Sequence, residues 1–166
     1  MNDVIKIKSL EVFGYNGTFE EEKKLGQKYY VNIDVKIKDF FRDVCNDINK
    51  TVDYSKLILF VREYFQNNKR DLLESITNDV VFEIFKEFSN VIEVNCEIFK
   101  SAHHVSIGFE GMSVCVNRKI HKVYIALGSN LGNKEENLNN AYSLLEENNI
   151  KIIKKSEIIE TKPYGG

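Results

Sequence analysis

Tyr29-Tyr30-Val31-Asn32-Ile33-Asp34-Val35-Lys36-Ile37 alternates without a break. Tyr29, Val31, Ile33, Val35 and Ile37 share one parity; Tyr30, Asn32, Asp34 and Lys36 share the other. Side chains along a strand point to opposite faces in turn, so this run reads as a strand buried on one side and wet on the other. Upstream, Val4 to Phe13 alternates from Ile5, with a slip near Ser9, and predicts an antiparallel partner strand. Downstream, Val91 to Phe99 sets Ile92, Val94, Cys96 and Ile98 against Glu93, Asn95 and Glu97, and Phe109 to Asn117 reads as a fourth strand.

Between the second and third strands, Asp39 to Lys50 is irregular and acidic. Asp53 or Ser55 can then cap a helix in which Leu57, Ile58, Val61 and Phe65 recur at helical spacing. Asn67 to Asp71 breaks that helix. A second one is predicted from Leu72 to Phe88, with Ile76, Val80, Ile84 and Phe88 on its apolar side. Glu74 falls in its first turn, where the helix dipole favours a carboxylate. The order ββααββ calls for two helices on one face of a four-stranded antiparallel sheet. For the other face, the simplest cover is a second copy of the chain.

After Arg118-Lys119 the pattern restarts. Lys122 to Leu127 reads as a strand, Glu135 to Glu147 as a helix and Ile150 to Glu160 as a strand. The expected division is therefore residues 1–120 and 121–166. One strand-helix-strand unit is too small to bury its own core, so the second segment reads as the opening of a second domain.

Composition narrows the function classes. At 43% hydrophobic and 29% charged the chain is globular, and a net charge of −2 gives no basic footprint for nucleic acid. No apolar run reaches a membrane span, and Met1-Asn2-Asp3 does not begin a signal peptide, so the cytoplasm is the expected location. Cys45, Cys96 and Cys115 are odd in number and form no C-x-x-C pair, which argues against a disulfide framework or a zinc site. His103, His104 and His121 show no H-x-H or H-E-x-x-H spacing, so no catalytic metal is expected. The chemistry concentrates in the connection from Gly14 to Gln27, which carries Gly14, Gly17 and Gly26 and the consecutive carboxylates Glu20, Glu21 and Glu22. A long polar connection of this kind is more often functional than a plain hairpin.

Five pieces follow one another along the chain: Gly14-Tyr15-Asn16-Gly17; Glu22 with Leu25-Gly26-Gln27; Thr51-Val52-Asp53-Tyr54; Leu73-Glu74-Ser75-Ile76; and Lys100 at a strand end. In this order and spacing they resemble dihydroneopterin aldolase across residues 1–120. Asn16 stands where many members carry histidine, and Ser101-Ala102-His103-His104 stands where the family usually shows prolines. The resemblance implies an α+β tunnelling fold (T-fold) whose subunits form rings of four, usually paired into a homo-octamer, with active sites between neighbours. It also implies a metal-independent, cofactor-free retro-aldol cleavage of 7,8-dihydroneopterin to glycolaldehyde and 6-hydroxymethyl-7,8-dihydropterin, a step of folate biosynthesis.

The residue roles follow from the same resemblance. Lys100 would act as acid and base around N5 and the side-chain hydroxyls. Tyr54 would transfer a proton across a subunit boundary. Glu22 would hold a water or a substrate hydroxyl beside Lys100; its distance from Gly26-Gln27 selects it over Glu20 and Glu21, which are expected in solvent. Glu74 would accept the pterin's adjacent N–H and amino groups in a two-point contact. Leu73, through its backbone, and Val52 from a neighbour would line the ring.

The second segment resembles the start of 6-hydroxymethyl-7,8-dihydropterin pyrophosphokinase, through Tyr124-Ile125-Ala126-Leu127-Gly128-Ser129-Asn130-Leu131-Gly132, Asn137-Leu138 and Ser156 through Thr161-Lys162-Pro163-Tyr164-Gly165-Gly166. This implies an incomplete ferredoxin-like α+β segment and a truncated bifunctional protein. ATP and magnesium would enter only with a complete kinase domain, so pyrophosphokinase activity is not expected of this chain. Two other functions remain open: epimerisation at the side-chain C2′ carbon of dihydroneopterin or its triphosphate, and a non-catalytic pterin-binding oligomeric scaffold for the attached kinase.

Overall fold

A computed structural model of the chain describes residues 3–101, 108–148 and 150–161. The expectations for His103 and His104 lie outside the described residues. β2 (Gln27–Ile37) buries Gln27, Tyr29, Val31, Ile33, Val35 and Ile37, and leaves every intervening side chain at least partly open. It pairs antiparallel with β1 (Val4–Gly14) on one side and β3 (Val91–Ser101) on the other. β4 (Gly111–Lys119) completes a sheet of order β1-β2-β3-β4.

The slip at Ser9 is a β-bulge. Ile7 faces Ile33 and Leu10 faces Val31, so Lys8 and Ser9 together oppose Asn32. Ser9 takes a φ of 51°, and the Asn32 side chain accepts its N–H at 2.8 Å. The extra residue resets the parity of β1, so that Ile7 and Val12 both reach the core.

α3 (Tyr54–Asn67) packs against β1, and α4 (Leu73–Glu87) against β3 and β4. Asp53 is the cap of α3: its carboxylate accepts the N–H groups of Ser55 and Lys56 at 3.0 and 3.2 Å. Leu57, Val61 and Phe65 form the buried stripe of α3; Ile76, Val80 and Ile84 lie on that of α4. The opposite face of the sheet carries Lys6 paired with Asp34 and Lys36 paired with Glu93. The same face also carries Tyr30 against Phe99, with ring centroids 6.4 Å apart.

Other corrections are local. The Gly14–Gln27 connection contains a short helix, α1 (Glu20–Leu25). The stretch read as irregular holds α2 (Phe41–Val44) and a 3-10 turn at Ile48–Lys50. β4 starts two residues after Phe109 and ends at Lys119.

The chain divides into two units, Met1–His121 and Lys122–Gly166. In the second, α5 (Lys134–Glu147) forms, with Asn133 capping the Glu136 N–H at 3.2 Å, but none of its residues is buried. The strands expected at 122–127 and 150–160 have no backbone ladder, and Val123, Tyr124, Ile153 and Ile159 are exposed. A strand exists only through a paired neighbour, and these short segments bury too little to hold one. No helix among the described residues is long and apolar enough to cross a membrane.

The first unit's stability rests on the buried face of β2. Ile33, fully buried at the sheet centre, is the sensitive position. Ile33→Ala is expected to destabilise the unit by roughly 2–5 kcal/mol in denaturant unfolding, from lost transfer energy and the cavity left behind.

Candidate active site

Tyr29 and Lys100 are direct partners across the β2–β3 ladder. Cross-strand partners project to the same face, so Lys100 points to the helix-covered side at the very end of the sheet. Gln27, two residues before Tyr29, shares that face. The connection between β1 and β2 then folds α1 over this end and brings Glu22 to Lys100: Lys100 Nζ donates to Glu22 Oε1 at 2.5 Å. Glu22 is 3% exposed and the Lys100 side chain 21%, while Glu20 and Glu21 face solvent.

Glu22 turns inward for a local reason. It is the third residue of α1, and its Oε2 accepts the Phe19 N–H at the helix start at 3.2 Å, one half of a capping box. Gly17 supplies the space. It has a φ of 143°, and a Cβ there would overlap the Glu22 carboxylate.

Burial pushes the Glu22 carboxyl up. The hydrogen bond from Lys100, the Phe19 N–H, the Lys100 charge and the Gln27 amide outweigh it, and the carboxyl sits below its ordinary value. Glu22 is thus an ionised carboxylate held out of water against a cation.

Gln27 and Tyr29 extend this pair inward. Gln27 Nε2 donates to Glu22 Oε1 at 3.2 Å and to Tyr29 Oη at 3.1 Å, and Tyr29 Oη donates to the Asn16 carbonyl at 2.5 Å. None of these three was singled out as a site residue from the sequence. Gln27 carried a readable signal: it continues the buried parity of β2, and a polar side chain sent into a core must find partners.

Asn16 also ties two loops together. Its Oδ1 accepts the Arg70 N–H at 2.7 Å, and the Gly17 N–H donates to the Arg70 carbonyl at 3.0 Å. A Lys23–Asp71 ion pair at 2.9 Å lies beside them. The Glu22 connection is thereby joined to the turn that precedes α4.

The other sequence-derived candidates make no hydrogen bond within this cluster among the described residues. Tyr54 is the first residue of α3 and is 60% exposed; Glu74 is exposed in the first turn of α4. Among the described residues neither has a hydrogen bond to Lys100 or Glu22. Val52 is buried just before the Asp53 cap, and Leu73 is buried at the start of α4. Among the described residues no group of three or more His, Cys, Asp or Glu side chains is placed to hold a metal ion.

Two outcomes follow. Gly17→Ala is expected to displace the Glu22 carboxylate and break its contact with Lys100, visible as a changed Glu22 carboxyl resonance in a protein that still folds. Because the Glu22 carboxyl is lowered by folding, its contribution is complete above the ordinary value of 4.5 and is lost as pH falls through the lowered value. Stability of the native chain, followed by circular dichroism, should therefore fall more steeply below pH 4.5 than that of Glu22→Gln.

The family profile described as dihydroneopterin aldolase (FolB) matches residues 5–117, and that described as 7,8-dihydro-6-hydroxymethylpterin-pyrophosphokinase (HPPK) matches residues 124–166. A dihydroneopterin aldolase of Staphylococcus epidermidis is 23% identical over 119 residues, covering 72% of this chain and 98% of that protein. One of Streptococcus pyogenes serotype M6 is 26% identical over 113 residues, covering 65% and 95%. The crystal structure of E. coli dihydroneopterin aldolase in complex with neopterin superposes with a TM-score of 0.61 at 19% identity, over 70% of this chain and 98% of that one. Its fold is the fold described above, the tunnelling fold. With its profile matched from residue 5 to residue 117, this chain belongs to the dihydroneopterin aldolase family.

Proposed function

We propose that residues 1–120 cleave 7,8-dihydroneopterin by a retro-aldol reaction, releasing glycolaldehyde and leaving 6-hydroxymethyl-7,8-dihydropterin. The observation that carries this reading is the Lys100–Glu22 pair, an ammonium against a carboxylate buried at the open end of the sheet. The 2′-hydroxyl of the substrate loses its proton, the C1′–C2′ bond breaks, and the electron pair moves into the C6=N5 imine, with N5 taking up a proton. Protonation of C1′, as N5 gives its proton back and the C6=N5 imine re-forms, completes the hydroxymethyl product. The substrate's own imine is the electron sink, so the reaction as proposed calls on no cofactor or metal. The protein's part is positioning and proton transfer.

In this reading Lys100 handles the proton at N5, and Glu22 holds the attacked hydroxyl or a water against it. Glu74 anchors the pterin's N–H and amino groups, with Leu73 lining the ring. Tyr54, with Val52 beside it, comes from a neighbouring subunit. The exposure of Tyr54 at the start of α3 supports a site completed by a second copy, in a tetramer or octamer. The neopterin in the E. coli structure supports a pterin ligand. No pyrophosphokinase activity is assigned to residues 121–166.

Glycolaldehyde release from dihydroneopterin tests the reading. Lys100→Ala should lower it by roughly 10²–10⁴-fold, the usual range for a positioned proton-transfer group. Lys100→Arg keeps the charge opposite Glu22 but not a proton that can leave, and should lose a similar factor. No glycolaldehyde from the native protein would sink the aldolase reading; full activity in Lys100→Arg would sink the proton-transfer role. Glu74→Gln should weaken neopterin binding by about 10- to 100-fold in calorimetry, the scale of one lost charge-assisted hydrogen bond.

A further inference from the structure

The hydrogen bonds behind Glu22 run in one direction, and that direction is set at the far end. The Asn16 backbone carbonyl can only accept. Tyr29 Oη lies 2.5 Å from it, so the phenol proton is committed there. Burial pushes the Tyr29 phenol up to about 12, which keeps that proton in place at any working pH. Tyr29 Oη then has only lone pairs to offer Gln27, at 3.1 Å. Gln27 must therefore present its amino group, not its carbonyl, to Tyr29. The same Nε2 reaches Glu22 Oε1 at 3.2 Å, where an ionised carboxylate is the stronger acceptor.

We propose that Tyr29 is a positioning residue: through the Gln27 amide it holds Glu22 as an oriented carboxylate facing Lys100. Two observations separate this from ordinary packing. The Tyr29 ring packs on Phe65 with centroids 5.4 Å apart, a contact that phenylalanine would make equally well, so packing does not call for the hydroxyl. Among the described residues, Gln27 Oε1 is buried without a partner. The amide keeps this orientation although it leaves its own carbonyl unsatisfied, as expected if the bonds at its amino group outweigh that cost. Among the described residues, the groups that act on Glu22 are Lys100 from β3, Gln27 from β2, Tyr29 through Gln27, and the Phe19 N–H from the start of its own helix. Tyr29 is the single one of these that acts from behind another side chain.

The kinetic consequence rests on the aldolase reading; the structural one does not, and the test keeps them apart. Carboxyl-carbon NMR of the ligand-free full chain follows the Glu22 titration in native protein and in Tyr29→Phe, with cooperative thermal melting as the check on folding. In Tyr29→Phe, Glu22 is expected to titrate higher, back toward the ordinary carboxylate range. The kcat for glycolaldehyde release is expected to fall roughly tenfold, the worth of one hydrogen bond, with KM for dihydroneopterin nearly unchanged. In a Gln27→Met background, Tyr29→Phe should alter neither quantity, since the link is already cut. An unchanged Glu22 titration in folded Tyr29→Phe overturns the proposal. So does an effect of Tyr29→Phe that persists in full without Gln27. If Tyr29→Phe fails to fold, the native protein decides: a slowly exchanging Tyr29 hydroxyl proton close to the Gln27 side-chain amide supports the proposal, and its absence overturns it. A native protein that releases no glycolaldehyde removes the reaction, and the titration alone then decides the role of Tyr29.

Discussion

A carboxylate removed from water must be given back, by the protein, most of what hydration supplied. Glu22 is that carboxylate, and much of the first unit's architecture at the open end of the sheet meets its demand. The β2–β3 register delivers an ammonium from Lys100. The first turn of α1 delivers a backbone N–H from Phe19. The parity of β2 delivers the Gln27 amide, and Gly17 leaves the room the carboxylate occupies. Each contribution comes from a different element, so the site is a property of the fold's register and not of any one segment. A slip of one residue between β2 and β3 would put Lys100 on the wrong face.

The sheet and its helices were legible because their signals are periodic. β2 alternates without fault, and α3 and α4 repeat their apolar residues at helical spacing; in these places local pattern and tertiary burial coincide. α1 carries no such signal, since Glu-Glu-Glu-Lys-Lys-Leu has no apolar stripe. Its helicity follows from the capping carboxylate and the glycine that ends it. The segments at 122–127 and 150–160 alternate or run apolar, yet form no ladder. Alternation states that a segment can be a strand; it does not supply the neighbour.

The site was legible only in its members. Lys100 and Glu22 are 78 residues apart, and their contact is decided by the β2–β3 register, which no local motif encodes. Family resemblance points to both as site residues, along with Tyr54 and Glu74, but gives no role to Gln27, Tyr29 or Asn16, which stand behind the Lys100–Glu22 pair. Asn16 does two things at once: its side-chain Oδ1 takes the Arg70 N–H, and its backbone carbonyl takes the Tyr29 phenol.

The exchange between Asn16-Gly17 and Arg70 has an entropic meaning. Two surface connections that approach one ligand would ordinarily each lose freedom when it arrives. Here Gly17 donates to Arg70, Arg70 donates back to Asn16, and the two connections are one body from the moment the chain folds. The ordering that a substrate would otherwise impose has already been completed by folding. A ligand bound at this end of the sheet would meet connections already held together.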